Sequence, residues 1–135
     1  MGITIRTKVK SCDIGYGGFM RFRQDVAFLI CNEVGLHYKS IENAPFVRRD
    51  EFFVKFDANT KRLIESGKLS IELARFLFAS DGEYKCDMKQ VRSLRDILKL
   101  SKNDDEIYGY CGRKDAATMK DMKEIFCGKY AVRWS

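Results

Sequence analysis

The amino-acid sequence predicts an α+β fold in a single domain spanning residues 1–135, and three observations carry that prediction. Both ends of the chain alternate apolar and polar residues, the pattern of half-buried strands. Between them, several stretches repeat apolar residues at three- and four-residue steps, the pattern of helices packed on one side. The composition supplies a core: 45% of residues are hydrophobic, 10 are Phe, 6 Tyr and 1 Trp, and there is a single proline. The expected architecture is a central apolar helix, three or four helices packed around it, and a small sheet joining the N- and C-terminal strands.

Taken in order, residues 3–10 place Ile3, Ile5, Thr7 and Val9 on one side and Arg6, Lys8 and Lys10 on the other, which predicts one strand. Residues 11–18, ending in Gly15-Tyr16-Gly17-Gly18, read as a turn. Phe19, Phe22, Val26, Leu29 and Ile30 then form the stripe of a helix over 18–33, with Gly35 as its stop. Residues 36–66 fit neither period well, because Phe52 and Phe53 point to both faces. They read as a variable arm or insertion holding a short helix at 59–66.

Leu69 to Phe78 is apolar nearly all round and is read as the buried helix at the centre. A buried strand is its competitor, but the i, i+4 pairs Leu69/Leu73 and Leu73/Leu77 favour the helix. The turn 79–83 ends it. Asp87 and Gln90 have the form of a capping box, opening a helix that buries Val91, Leu94, Ile97 and Leu98. Residues 102–106 read as a solvated loop and 107–112 as a short tyrosine-rich strand. Asp115 is the N-cap of a last helix with Met119, Met122, Ile125 and Phe126 inward, closed by Gly128, and Tyr130, Val132 and Trp134 alternate at the end.

The net charge of +6 invites an anionic partner, yet the excess is spread along the chain with no basic tail or lysine run. Five cysteines without a C-x-x-C pair, and one histidine, offer neither a zinc site nor a disulfide framework, so no metal and no cofactor are expected. The N-terminus is neither a signal peptide nor a membrane span, which suggests a cytoplasmic protein with no membrane contact.

Individual site candidates each meet a plainer reading. Gly15-Tyr16-Gly17-Gly18 lies between a strand and a helix like a phosphate cradle, with Arg21 and Arg23 beside it. Its spacing fits neither G-x-G-x-x-G nor G-x-x-x-x-G-K-[ST], so a structural turn is preferred. Ser80-Asp81-Gly82-Glu83 between two helices invites comparison with a calcium loop. Placing Gly82 at the sixth position puts Leu77 and Ala79 at the first and third and Met88 at the last, too few oxygens for the ion. Asp81 and Glu83 read as capping or partner-contact residues instead, and His37 as a solitary surface histidine.

Two features resemble a loosely defined group of small uncharacterised bacterial and phage proteins. One is the Tyr16, Phe19, Arg23 opening, a Tyr-x-x-Phe-x-x-x-Arg-like pattern; the other is Leu73 to Asp81 leading into a second helix and a chain that ends near Trp134. Members of that group carry a His-Ser-Asp turn, and here Ala79 stands at the histidine position. The resemblance implies one domain and a bacterial or phage origin, with no function attached.

The leading expectation is therefore a non-enzymatic protein-interaction module, an accessory or immunity-type factor, with an unknown protein partner. Its candidate contacts are Tyr16, Arg21, Arg23, Asp81 and Glu83. One alternative is weak nucleic-acid binding through Arg21, Arg23, Arg48 and Arg49. Another is an enzyme with its site near Gly15–Gly18.

Overall fold

Two short strands, not one long one, begin the chain. In the computed structural model, which describes residues 2–101 and 116–135 (the backbone alone for 116–119), β1 (Gly2–Arg6) pairs antiparallel with β2 (Ser11–Gly15). Ile3 lies opposite Ile14 and Ile5 opposite Cys12, and all four are buried. The turn is closed by Thr7. Its N–H donates to the Lys10 carbonyl at 2.8 Å, and its hydroxyl accepts from the amides of Val9 and Lys10. A threonine doing the work of a turn glycine leaves no Gly, Asn or Pro for sequence reasoning to find. Residues 11–15, expected as turn, are strand, and Val9, expected on the buried side, is 66% exposed.

The strand expected at the C-terminus is present as β4 (Val132–Trp134), which lies beside β1 with Ile5 opposite Trp134. A third neighbour, β3 (Tyr84–Cys86), completes an antiparallel sheet of order β2-β1-β4-β3. At three residues β3 is too short to show alternation in the sequence. The inward side chains of this sheet, with Val132, Cys86 and Trp134 among them, form its buried face.

Helix α1 (Tyr16–Ile30) follows β2 directly and lays Phe19, Phe22, Val26 and Ala27 into the core. It stops one turn earlier than predicted, because Cys31 is extended (φ −171°), and α2 (Asn32–Lys39) begins at once. Gly35 sits inside α2 rather than ending the helix before it. A Cβ there would lie 2.2 Å from the Phe28 ring, so glycine is what lets α2 close against the last turn of α1. A single 3-10 turn, Ser40–Asn43, follows.

The region read as an arm contains α3 (Arg49–Glu65), the longest of the described helices, and its Leu63 belongs to the core. The short helix expected over 59–66 is the end of α3. Next comes α4 (Ile71–Leu77), a helix as predicted over 69–78. Ser70 caps it, accepting from the Leu73 amide at 3.2 Å. Leu69, Leu73, Phe76 and Leu77 are buried, while Ile71 is half exposed.

Asp87 caps α5 (Met88–Leu98) by accepting from the Gln90 amide at 2.9 Å. The Gln90 side chain does not reach back to the cap; it donates to the Tyr84 hydroxyl at 2.9 Å. Val91, Leu94 and Leu98 are buried as the periodicity requires. Helix α6 (Ala116–Ile125) contributes Met122 and Ile125, and Phe126 follows into the core. Gly128 takes φ +85°, the left-handed turn that glycine tolerates best. The expectations for Asp115, Met119 and residues 102–112 lie outside the described residues or side chains. The result is an α+β domain with six helices among the described residues, none long and apolar enough to cross a membrane.

Candidate functional site

Arg23 is where the helices and the sheet meet a polar requirement. It lies on α1 four residues after Phe19 and three before Val26, on the stripe that faces inward, and it is only 3% exposed. Its guanidinium carbon sits 4.5 Å from the centre of the Phe19 ring. One terminal nitrogen donates to the carbonyls of Leu77 (3.2 Å) and Ala79 (2.8 Å), and the other pairs with the Asp81 carboxylate. Carbonyls at a helix C-terminus lack partners within the helix and carry partial negative charge, so the guanidinium caps α4 through the core. Burial lowers the Arg23 pKa from its ordinary value. Guanidinium ionises so far above neutrality that the group stays charged. Trp134 holds the same turn from the sheet side, its indole N–H donating to the Ser80 carbonyl at 2.9 Å.

Two of the sequence-predicted residues, Arg23 and Asp81, are therefore brought together. Tyr16 is exposed in the first turn of α1, Arg21 pairs with Glu42 at 3.5 Å, and Glu83 is exposed beyond the turn. None of these three joins the Arg23–Asp81 pair.

Beside that pair opens a cleft of ≈ 490 Å³ between α1, α3, the end of α2 and the turn after α4. Its apolar wall is aromatic: Phe56 meets Phe78 edge-on at 5.3 Å, Phe53 meets Phe56 at 5.9 Å, and Tyr38 lies against Phe78 at 6.0 Å. Burial raises the Tyr38 pKa, keeping its hydroxyl protonated. Arg23, Asp57, Thr60 and Asp81 supply the polar groups. The sequence offered a partial signal for this wall in Phe53 and Phe56, whose three-residue spacing puts them on one helical face. The residues Gly15–Gly18 do not line the cleft, and a Cβ on Gly17 would meet nothing within 4 Å.

His37 departs from the sequence reading. It is 6% exposed, stacked on Phe56 at 4.0 Å, with Nε2 2.6 Å from the Thr60 hydroxyl and Nδ1 2.9 Å from the Asn59 amide nitrogen. A hydroxyl, an imidazole and an orienting amide in line resemble a nucleophilic triad. The hydrogen-bond directions run the wrong way, however. Arg62 Nε donates to Asn59 Oδ1 at 3.0 Å, so it is the amide NH₂ that faces His37. His37 Nδ1 must accept, which leaves the proton on Nε2, donating to Thr60. The Thr60 hydroxyl in turn donates to the Phe56 carbonyl at 3.0 Å. The ring has no free lone pair to take a proton from Thr60, and the arrangement is structural.

Burial, helped by the nearby Arg62 charge, lowers the His37 pKa below its ordinary 6.5. As pH falls through 6.5 the unfolded chain takes up a proton that the folded chain resists, so stability falls with it. The His37 contribution is complete above about pH 6.5 and is lost toward its lower folded value. Urea midpoints measured between about pH 5 and 7.5 should decline on the acid side, and His37→Gln should flatten that decline. His37 is the one histidine of the chain, which makes the comparison clean.

Among the described residues no three His, Cys, Asp or Glu side chains converge as a metal site. Cys86 is buried and its thiol is pushed up to about 12, far from a reactive thiolate. Of the four arginines considered for nucleic acid, Arg23 is buried, Arg21 is paired with Glu42, and Arg49 lies over the Phe53 ring at 5.1 Å. Comparison with protein-family models, with curated proteins and with solved structures returned no match.

Proposed function

We propose that this chain is a non-enzymatic interaction module that docks a partner protein over the aromatic cleft. The observation that carries this reading is a set of large apolar side chains left in water on the chain segments that contribute to the cleft wall. Phe46 is 97% exposed, Val47 73% and Val54 69%. Phe46 and Val47 belong to the segment between Ile41 and Phe53, both of which line the cleft, and Val54 follows Phe53 on α3. Phe46 and Val47 are consecutive in the chain, and contiguous apolar exposure is a mark of interaction surfaces. Covering a phenylalanine is worth about 1.5–3 kcal/mol. A partner that inserts an apolar side chain between Phe53, Phe56 and Phe78 while covering Phe46 would gain at both places. The direction of the His37–Thr60 bond supports a binding role over a catalytic one.

A photo-crosslinking residue at position 46 or 54, used in lysate of the source cells, should trap one partner protein. The same residue at position 129, on a different part of the surface, should not trap it. Phe46→Asp should weaken recovery of that partner at least tenfold while leaving the melting temperature unchanged, because Phe46 contributes no buried area. Equal trapping at all three positions, or recovery indifferent to Phe46→Asp and Val54→Asp, would overturn the reading.

A further inference from the structure

The solvent face of the sheet collects like charges in register. Arg6 on β1 lies opposite Arg133 on β4, and Arg133 lies opposite Lys85 on β3. The alternation that buries Ile5, Trp134, Val132 and Cys86 turns these three outward. Neighbouring strands are about 4.8 Å apart, so the three positions form a row roughly 10 Å long at the backbone. Lys8 stands at the end of the same depression, of ≈ 210 Å³, with its ammonium 5.1 Å from the Tyr130 ring. None of the four forms an ion pair among the described residues. Lys10, close by in sequence, contrasts with them: it is matched to Asp121 and Glu124, and that pairing raises its pKa.

Like charges directly opposed across strands destabilise a sheet. Protection of an exposed edge accounts for a lysine on β3. It gives no reason for arginines on β4 and β1, which have strands on both sides. Arg6 spends one terminal nitrogen on the Ser135 hydroxyl at 2.7 Å, and its buried Nε has no partner. The row is a cost to the fold that an anionic ligand would reverse.

We propose that this face binds the phosphate backbone of nucleic acid without reading its sequence. One basic residue on each of three adjacent strands, in register, suits a polymer of regularly repeated charge. Of the other outward residues, Thr4, Ser11 and Ser135 are neutral and polar, and none is a large apolar anchor for insertion into a bilayer. The one acid on this face among the described strand residues, Asp13 on β2, accepts from the Thr4 hydroxyl at 2.7 Å and lies two strands away from Arg133. This surface is separate from the cleft, and the proposal stands whether or not a protein docks there.

Fluorescence anisotropy with a labelled 20-nucleotide single strand, and with the corresponding duplex, tests it on the full chain. With about four phosphates neutralised, raising salt from 50 to 200 mM should weaken binding about 50-fold for the single strand and about 150-fold for the duplex. Lys85→Gln with Arg133→Gln should weaken binding about tenfold or more and flatten the salt dependence by about two contacts. Arg48→Gln with Arg49→Gln should leave both unchanged. Retained fluorescence of buried Trp134 verifies folding of each variant. No binding at 50 mM salt, equal loss from the Arg48/Arg49 pair, or tighter binding to phosphatidylserine vesicles would each overturn the proposal.

Discussion

Replacing Trp134 by alanine is expected to destabilise the domain by about 3–5 kcal/mol, a large part of what a domain of this size possesses. The indole is the one tryptophan of the chain and is 1% exposed. It lies 5.0 Å from Phe19 on α1 and 6.1 Å from Phe76 on α4, in both cases edge to face, and 5.2 Å from Tyr84 on β3. Aromatic pairs in these geometries add to the area they bury. Its strand joins β1 to β3, so a void at this position loosens the sheet where the two ends of the chain meet. Trp134→Phe should cost less, about 1–2 kcal/mol, since it keeps most of the packing and loses the hydrogen bond to Ser80. Denaturant unfolding followed by far-UV circular dichroism measures both. A loss below about 1 kcal/mol for Trp134→Ala would show that the surrounding rings close over the gap.

That strand was legible in the sequence because two buried residues, Val132 and Trp134, bracket an exposed arginine. The hairpin turn at Thr7–Lys10 was not, since a hydroxyl replaces the backbone freedom that normally announces a turn. Neither was the break at Cys31: the stripe on α1 continues through Ile30, and the extended residue between two helices carries no side-chain signature. Gly35 misled in the opposite direction. A glycine near a helix end reads as a stop, whereas here it answers to the Phe28 ring.

The candidate site was half legible for a related reason. Arg23 shares the Phe19–Val26 stripe, so periodicity alone points it inward, but a charged residue is discounted when an apolar stripe is drawn. Its partners are carbonyls and a carboxylate from beyond α4, which only the fold brings near. His37 was read as exposed because the aromatic ring that covers it, Phe56, lies in a region with no clear period. The basic row demanded still more. Lys85, Arg133 and Arg6 become neighbours through the register of three short strands, one of them unforeseen, so a count of charge along the chain shows only a thin positive excess.

Removing Arg23 is expected to expose how much of the turn after α4 depends on it. Arg23→Leu should cost about 3 kcal/mol, because it strips the donors from the Leu77 and Ala79 carbonyls and leaves Asp81 without its partner. Asp81→Asn should cost less, about 1–2 kcal/mol, since the Asp81 side chain is 63% exposed and water screens part of the attraction. That is still more than most substitutions at so exposed a position, which fall within about 0.5 kcal/mol. The excess arises because the change leaves a buried guanidinium held by carbonyls alone. In the double variant Asp81→Asn should add almost nothing to Arg23→Leu, a coupling of about 1–2 kcal/mol from the thermodynamic cycle. Phe78 stands between the two carbonyls that Arg23 holds, so the same variants should also disturb the aromatic wall of the cleft. A partner identified by crosslinking at Phe46 should then bind Arg23→Leu more weakly, even under conditions where that variant is fully folded. If Arg23→Leu proves as stable as the parent, the buried charge serves no structural end, and its place in the cleft becomes the reason for it.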